Sequence, residues 1–206
     1  MRIRENFFGD KRFYYRVIAI AVPIILQNGI TNFVSLLDNI MVGSLGTEQM
    51  SGVSIVNQFI FIFNLLIYGA ISGAGIFCVQ YHGTRDQNGI SHTFRFKLYL
   101  IVLLTVLSIG AIVLFGDYLI STFLSESSTS GDIVLTFSEG QAYLRIMLIG
   151  LIPYSVSQVY ASTLRETEHT VVPMVASVVA VATNFVLNYI LIFGKLGNLP
   201  RIIQYR

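Results

Sequence analysis

Charged residues are scarce in this sequence: Lys, Arg, Asp and Glu make up 12% of its 206 residues, about half of the roughly 25% that is typical of soluble proteins. By contrast, 54% of the residues are hydrophobic and the mean hydropathy is +0.69. A soluble domain of this size needs more polar surface to cover its core. Because the apolar residues also lie in long blocks, the composition excludes an ordinary soluble domain and indicates a membrane protein.

Other absences narrow the range of functions. The single cysteine, Cys78, excludes a disulfide within the chain and leaves the redox compartment undefined. The net charge of +2 is too small to indicate a nucleic-acid partner. The sequence has no nucleophile triad, zinc-ligand spacing or nucleotide-binding loop. We therefore expect neither an enzyme nor a cofactor, and no metal beyond a transported or coupling ion.

Five apolar segments are long enough to cross a bilayer as helices, which takes about 20 residues each. They lie near residues 17–42, 52–80, 98–116, 136–162 and 172–194. The first is too long for the core of a signal peptide, and no A-x-A-like cleavage site follows it. We predict an all-α membrane protein with a basic tail at 1–16, a five-helix bundle at 17–194 and a short tail at 195–206.

The basic residues predict the orientation of these helices. The N-terminal tail, the loop "YHGTRDQNGISHTFRFK" and the turn "RETEHTVVP" carry Lys or Arg, whereas the other two loops carry none. Because loops rich in Lys and Arg stay in the cytoplasm, we predict a multi-pass protein of the plasma membrane with a cytoplasmic N-terminus. The basic C-terminal tail breaks the alternation: either it is translocated, or the natural continuation of the chain is missing.

A polar stripe runs along the first predicted helix. At 100° per residue, Ser35, Thr31 and Gln27 lie at about 60°, 20° and −20° from Asp38. Such a face avoids lipid and should point at other helices or at water. For each of the three neutral residues, hydrogen bonding between helices is favoured over a functional role. Pro23, in the same helix, removes a backbone hydrogen bond and predicts a bend, either static or part of a shape change.

Asp38 is the costly member of this stripe. An aspartate near the centre of a membrane helix costs about 2.5–3.5 kcal/mol, and less toward the interface. One interpretation places Asp38 harmlessly at the interface, since it lies well into the run that starts at Val17. The other makes it an ion site. If it is desolvated, its neutral form is favoured and it can take up a proton, or a cation such as sodium can stabilise the ionised form.

Polar residues also mark the second and fifth helices. Asn184 and Asn188 are one turn apart on the fifth, where their amides can bind a hard cation, hydrogen-bond a carboxylic acid or simply join helices. The second carries Asn57 on a broad polar face that also includes Ser54 and Asn64. Its Gly69 and Gly73 form a GxxxG pattern, which is a weak signal for close helix packing.

These motifs together resemble the multidrug and toxic compound extrusion (MATE) transporters. The segment "PIILQNGITNFVSLLDNIMVGSLGTEQMSGVSI" looks like the opening of that family, and "VQYHGTRD", "QAYLRIMLIGLIPY" and "NFVLNYILIFG" resemble later segments in the family's order. The matching residues of the first helix and its turn are Pro23, Gln27, Asp38, Met41, Val42, Gly43, Leu45 and Gly46. The turn "RETEHTVVP" departs from the family's usual glycine-rich form.

The resemblance implies twelve helices in two six-helix lobes, and export of organic, often cationic compounds driven by inward flow of protons or sodium. It assigns cation coupling to Asp38 and Asn184. Asn188 stands where some members carry an aspartate, so the site has lost a charge and its ion preference is open. The chain covers five of the twelve helices, and "NLPRIIQYR" stands where a sixth should begin. We therefore expect most of an N-terminal lobe, without the sixth helix and the second lobe.

The leading hypothesis is a partial chain of a cation-coupled antiporter for small organic molecules, working in a lipid bilayer with a second lobe or another chain as partner. Asp38, Asn184 and Asn188 would couple the ion, while Gln27, Thr31, Ser35 and Asn57 would support the site or line the cavity. One alternative is a truncated, non-transporting membrane protein or an interaction partner. A lipid-linked sugar flippase is a further alternative, against which the Asp-x-x-Met-Val-Gly turn argues.

Overall fold

The structure, a computed structural model, describes residues 10–43, 46–126 and 132–193. Within these ranges the chain is helical, without strands. The helices are α1 (Lys11–Gly43), α2 (Thr47–Gly83), α3 (Gln87–Glu126), α4 (Ile133–Glu166) and α5 (Val171–Phe193). The predicted tail at 195–206, most of the predicted tail at 1–16 and residues 127–131 of the serine-rich loop lie outside the described residues.

All five helices are long and apolar enough to cross a membrane, which confirms the predicted all-α membrane fold. They extend beyond the predicted segments because polar residues continue the helices past the apolar runs. The third differs most, since α3 begins at Gln87 rather than near residue 98. Asp86 explains this start: its Oδ1 accepts hydrogen bonds of 3.0 Å from the backbone N–H groups of Asn88 and Gly89, which caps the helix.

The α2–α3 connection is accordingly a tight turn at residues 84–86 rather than a long polar loop. Arg85 adopts a positive φ of 58° there, a left-handed conformation that closes short turns. Arg95 and Lys97, which the sequence analysis assigned to the loop, therefore lie inside α3. That assignment was wrong because it placed the helix end where the apolar run ends.

Helices α2, α3 and α4 pack against one another in one structural unit, residues 39–167, which we call the α2–α4 bundle. A seam of buried side chains at helical spacing on α2 forms its centre: Val56, Phe59, Phe63, Ile67 and Ile71. Two core clusters meet along this seam. Ile101 joins the first cluster from α3 and Leu144 joins the second from α4, so van der Waals packing of these side chains holds the three helices together.

The backbones of α2 and α4 approach each other closely at Gly52 and Gly140. A Cβ added to Gly52 would lie 2.8 Å from the backbone nitrogen of Gly140 and 2.9 Å from the carbonyl oxygen of Thr136. Only glycine fits such a crossing. The GxxxG pattern at Gly69 and Gly73 does not serve this purpose, because a Cβ at either position has no described atom within 4 Å. The GxxxG pattern therefore predicted the wrong glycines: the close contact of α2 is at Gly52 and not at Gly69 or Gly73.

The second structural unit contains α1 up to Asp38 and the chain from Glu168 onward; we call it the α1/α5 unit. Within α1, Pro23 is the one buried residue, and α5 begins three residues after Glu168. Large apolar side chains such as Ile25, Phe33 and Val179 are exposed on these helices. Exposure of so much apolar surface suits contact with lipid or with further protein rather than with water.

Candidate functional site

Three side-chain contacts join α1 to the segment that contains α5. Arg16 pairs with Glu168 at 3.4 Å, the Gln27 Nε2 group donates to Ser177 Oγ at 2.7 Å, and the Asn188 Nδ2 group donates to Asp38 Oδ1 at 2.8 Å. The residue numbers rise together along both segments, so the two helices run parallel. We call this series the polar ladder.

The spacing of the polar ladder follows the helix repeat. Gln27 and Asp38 are eleven residues apart, as are Ser177 and Asn188, and eleven residues make about three helical turns. Matching side chains therefore return to the same side of each helix. From Arg16 to Asp38 the helix rises by about 33 Å at 1.5 Å per residue, close to the roughly 30 Å of a bilayer core. The ladder thus reaches from one edge of a membrane-sized span to the other.

The end of the polar ladder farthest from Arg16 is formed by Asp38, Asn184 and Asn188. The Asn188 amide nitrogen donates both to Asp38 Oδ1 at 2.8 Å and to Asn184 Oδ1 at 3.1 Å. Asp38 and Asn188 are half-buried, whereas Asn184 is exposed. The structure therefore brings together the three residues that the sequence analysis grouped as an ion site, and leaves the group open on one side.

This geometry sets what the group can do chemically. Asn188 directs its amide N–H group, and not its amide oxygen, at Asp38, which accepts the hydrogen bond. A proton can bind Asp38 with this amide orientation unchanged. A sodium ion prefers oxygen ligands, so it would be held by Asp38 and Asn184 Oδ1, with Asn188 turned to present its own oxygen. Among the described residues no group of three or more His, Cys, Asp or Glu could hold a metal.

The middle of the ladder is more clearly structural. Ser177 accepts the hydrogen bond from Gln27, in a part-buried position. The Thr31 hydroxyl donates to the Gln27 carbonyl at 2.9 Å and the Ser35 hydroxyl donates to the Thr31 carbonyl at 3.1 Å. Both hydroxyls are thus bonded to their own helix, a pattern that often bends helices. They lie on the predicted stripe but do not contact Asp38 through these bonds.

Two further predicted residues lie elsewhere. Pro23 is inside α1, four residues before Gln27, and it deprives the carbonyl one turn earlier of its helical partner. Asn57 is exposed on α2 and belongs to the α2–α4 bundle, whereas Asp38 belongs to the α1/α5 unit. The Arg16–Glu168 pair, at the opposite end of the polar ladder from Asp38, was not predicted from the sequence. Both side chains are largely exposed, at 71% and 42%, and such pairs contribute little to stability.

Five long apolar helices with much exposed apolar surface define an integral membrane protein of the helical class. Comparison with known proteins then identifies it more closely. The family model MatE matches residues 23–190. This range contains both residues of the Gln27–Ser177 and Asp38–Asn188 pairs, whereas Arg16 lies outside it. The chain belongs to the MatE family.

Individual relatives agree with this assignment. The chain is 24% identical over 181 residues to a probable multidrug resistance protein NorM of Thermotoga maritima, covering 88% of this chain and 38% of the relative. It is 28% identical over 190 residues to a probable NorM of Photorhabdus laumondii, covering 92% and 40%. The multidrug resistance protein MdtK of Pectobacterium atrosepticum is 25% identical, covering 87% and 38%. The chain thus spans about two fifths of the length of these relatives.

A solved structure supports the fold. A MOP superfamily transporter from Pyrococcus furiosus matches with a TM-score of 0.70 and 23% sequence identity, over 89% of this chain and 39% of that one. At this identity the likeness concerns the fold alone. The five-helix arrangement is therefore one that occurs within a larger membrane transporter.

Proposed function

We propose that this chain forms part of a cation-coupled exporter of organic, often cationic molecules. This proposal is supported by membership of the MatE family and by relatives named as multidrug resistance proteins. The observation that carries it is the hydrogen bond from Asn188 to Asp38, which joins α1 to α5 at a carboxylate. In this proposal the protein is a transporter and not an enzyme.

Asp38 is the group that binds the ion. In its charged state it attracts the Asn188 amide, and a charge-assisted hydrogen bond is roughly twice as strong as a neutral one. Binding of a proton neutralises Asp38 and weakens the attraction between the two helices, whereas a sodium ion takes the place of the Asn188 N–H group as the partner of Asp38. Pro23 lets α1 bend when that attraction changes. Gln27, Thr31 and Ser35 keep the rest of the polar face hydrogen-bonded.

The setting follows from the same proposal. The helices cross the plasma membrane with the N-terminus in the cytoplasm, so that Asp38 lies toward the outer side. Substrate and ion compete for the cavity beside α1 and α5. A second lobe, from further sequence or from another chain, closes that cavity from the other side and allows access to alternate between the two faces of the membrane. Asn57 on α2 is a candidate cavity residue in that assembly.

The test is an exchange assay in proteoliposomes with the full-length protein. We expect Asp38→Asn to abolish export driven by an inward proton or sodium gradient, because asparagine cannot change its charge. The matched control is Asp117→Asn on α3, where the carboxylate accepts a hydrogen bond from Gln141 Nε2 at 2.6 Å and an asparagine oxygen can accept the same bond. Undiminished gradient-driven export by Asp38→Asn contradicts the proposal.

The same assay separates transport from a purely structural role. Flux is measured for the purified 206-residue chain and for an assembly that includes a second lobe. Gradient-driven flux that needs the second lobe supports an exporter that works as two lobes. Absence of flux in both preparations, with correctly inserted protein, favours the alternative of a non-transporting membrane protein.

A further inference from the structure

A second charged group lies inside the α2–α4 bundle, apart from the polar ladder. The Lys97 side chain has no exposed surface and its Nζ pairs with Glu166 Oε2. The other carboxylate oxygen, Oε1, accepts a hydrogen bond of 2.6 Å from Ser162 Oγ, and Lys97 Nζ lies 3.5 Å from the same hydroxyl. Each of the three polar groups therefore contacts the other two. We call these residues the Lys97 cluster.

The third helix of the bundle closes this cluster. A Cβ added to Gly75 of α2 would lie 3.1 Å from Glu166 Cδ, so the carboxylate rests directly on the α2 backbone. Cys78, one turn further along α2, is fully buried, and Glu166 and Lys97 lie close enough to act electrostatically on its thiol. The Glu166 carboxylate thus contacts a lysine from α3, a serine of its own helix and a glycine from α2.

The chemistry of this cluster differs from that of Asp38. Asp38 has an amide partner, is half-buried and can exchange an ion. At Glu166 the place of a cation is already taken by an ammonium group that is covalently attached to α3. Buried charges are tolerated when they are paired and hydrogen-bonded, and they become strongly destabilising when one partner is removed. The pair therefore favours one arrangement of the three helices over any arrangement that separates Lys97 from Glu166.

We propose that Lys97 is a positioning residue: a permanent internal counter-cation for Glu166 that keeps α2, α3 and α4 together as one block while the exporter changes shape. The part about the export cycle rests on the function proposed above. We call this action of the Lys97–Glu166 pair on the three helices the clamp. It is testable without export. It predicts that the end of the bundle where α2 meets α3 stays closed at rest and during transport.

Cys78 supplies a native reporter, because it is the only cysteine of the sequence and is fully buried in α2, one turn beyond Gly75, which contacts Glu166. The experiment measures the rate at which N-ethylmaleimide labels the full chain in lipid vesicles, at rest and with a proton or sodium gradient plus substrate. We expect slow labelling of the unmodified chain under both conditions. Labelling that accelerates as soon as the gradient and substrate are present overturns the proposal that the block stays closed.

Variants test the role of the charge pair. Lys97→Met and Glu166→Gln each leave one buried partner alone, so we expect each to raise the labelling rate of Cys78 roughly tenfold or more. The double variant Lys97→Met/Glu166→Gln leaves no unpaired charge and should return the rate close to the starting value. The matched control is Arg95→Met, which removes an exposed cation from the same helix and should leave the rate unchanged. Equal protection of Cys78 in both single variants overturns the proposal.

If the single charge variants do not accumulate in the membrane, a milder variant tests whether the Lys97 cluster keeps the bundle closed. Ser162→Ala removes only the bridging hydroxyl, so we expect a rise of roughly twofold to fivefold in labelling, and no rise contradicts the clamp. Failure of this proposal is distinct from failure of the proposed function. An exporter without a clamp loses transport in Asp38→Asn while Cys78 labels alike in all variants. A clamp in a non-transporting protein gives the labelling pattern above without gradient-driven flux.

Discussion

Asn188 donates a hydrogen bond of 2.8 Å to Asp38, although the two residues are 150 positions apart in the sequence. The same offset joins Gln27 to Ser177. Two helices that run in the same direction therefore meet through polar side chains in a constant register, and Asp38 has a defined partner rather than a general polar surrounding.

Removing the amide of Asn188 should impair coupling. Asn188→Leu deletes the donor to Asp38, and hydrogen bonds to charged groups contribute about 1.5–3 kcal/mol. Because Asp38 is only half-buried, we expect the lower end of this range, a loss of roughly tenfold in gradient-driven initial rate. The control is Thr183→Val on the same helix, whose hydroxyl bonds its own backbone at Val179. An equal loss in both variants would contradict a specific role for Asn188.

Adding a carboxylate at the same position should change the ion preference. Asn188→Asp places a second negative charge beside Asp38, and two close carboxylates favour a bound cation. We expect export to depend more steeply on sodium concentration than in the parent chain. The measurement compares transport rates across a sodium series at constant pH. An unchanged sodium dependence, with intact export, would show that residue 188 does not face the ion.

The middle rung of the ladder should contribute to stability. Gln27→Leu and Ser177→Ala each break the 2.7 Å hydrogen bond, and a typical hydrogen bond adds about 0.5–1.5 kcal/mol to the free energy of unfolding. Gln27 takes part in a further contact, so its replacement should cost more than that of Ser177. A double-mutant cycle on thermal unfolding in detergent measures the coupling. Fully additive effects would mean that the two side chains do not interact.

The glycine crossing of α2 and α4 should tolerate one substitution and not the other. Gly52→Ala puts a Cβ within 2.8 Å of a backbone nitrogen, whereas a Cβ at Gly140 meets its nearest atoms at 3.5 Å, an ordinary contact. We expect Gly52→Ala to lower the melting temperature by several degrees, and Gly140→Ala to leave it nearly unchanged. Gly69→Ala, which faces open space, serves as a control. Equal melting temperatures for Gly52→Ala and Gly140→Ala would contradict the crossing.

The sequence alone predicts much of the fold and of the ladder. Apolar runs of membrane length mark all five helices, and residues seven or eleven apart on α1 fall on one face because of the helix repeat. The shared spacing of eleven residues in Gln27–Asp38 and Ser177–Asn188 was also readable. What the sequence could not indicate is which of several polar stripes lie opposite each other, since that depends on helix direction and packing.

The Lys97 cluster shows where sequence interpretation fails. Lys97 lies at the edge of an apolar run, and an isolated sequence pattern cannot tell a lysine in a loop from one buried in a helix. Its partner Glu166 is 69 residues further on, within a segment that resembles a turn. The capping of α3 by Asp86 moves the helix start back and places Lys97 inside the bundle. A close pair of this kind becomes visible only when tertiary contacts are known.

The separation of Lys97 from Glu166 also has a consequence for biosynthesis. The ribosome completes α3 before α4, and at about 5–20 residues per second the intervening 69 residues take roughly 3–14 seconds. During that interval Lys97 has no carboxylate to pair with, and burying an unpaired charge is costly. Lys97 can therefore enter its buried position only after α4 has been made, and the three helices settle together at that point.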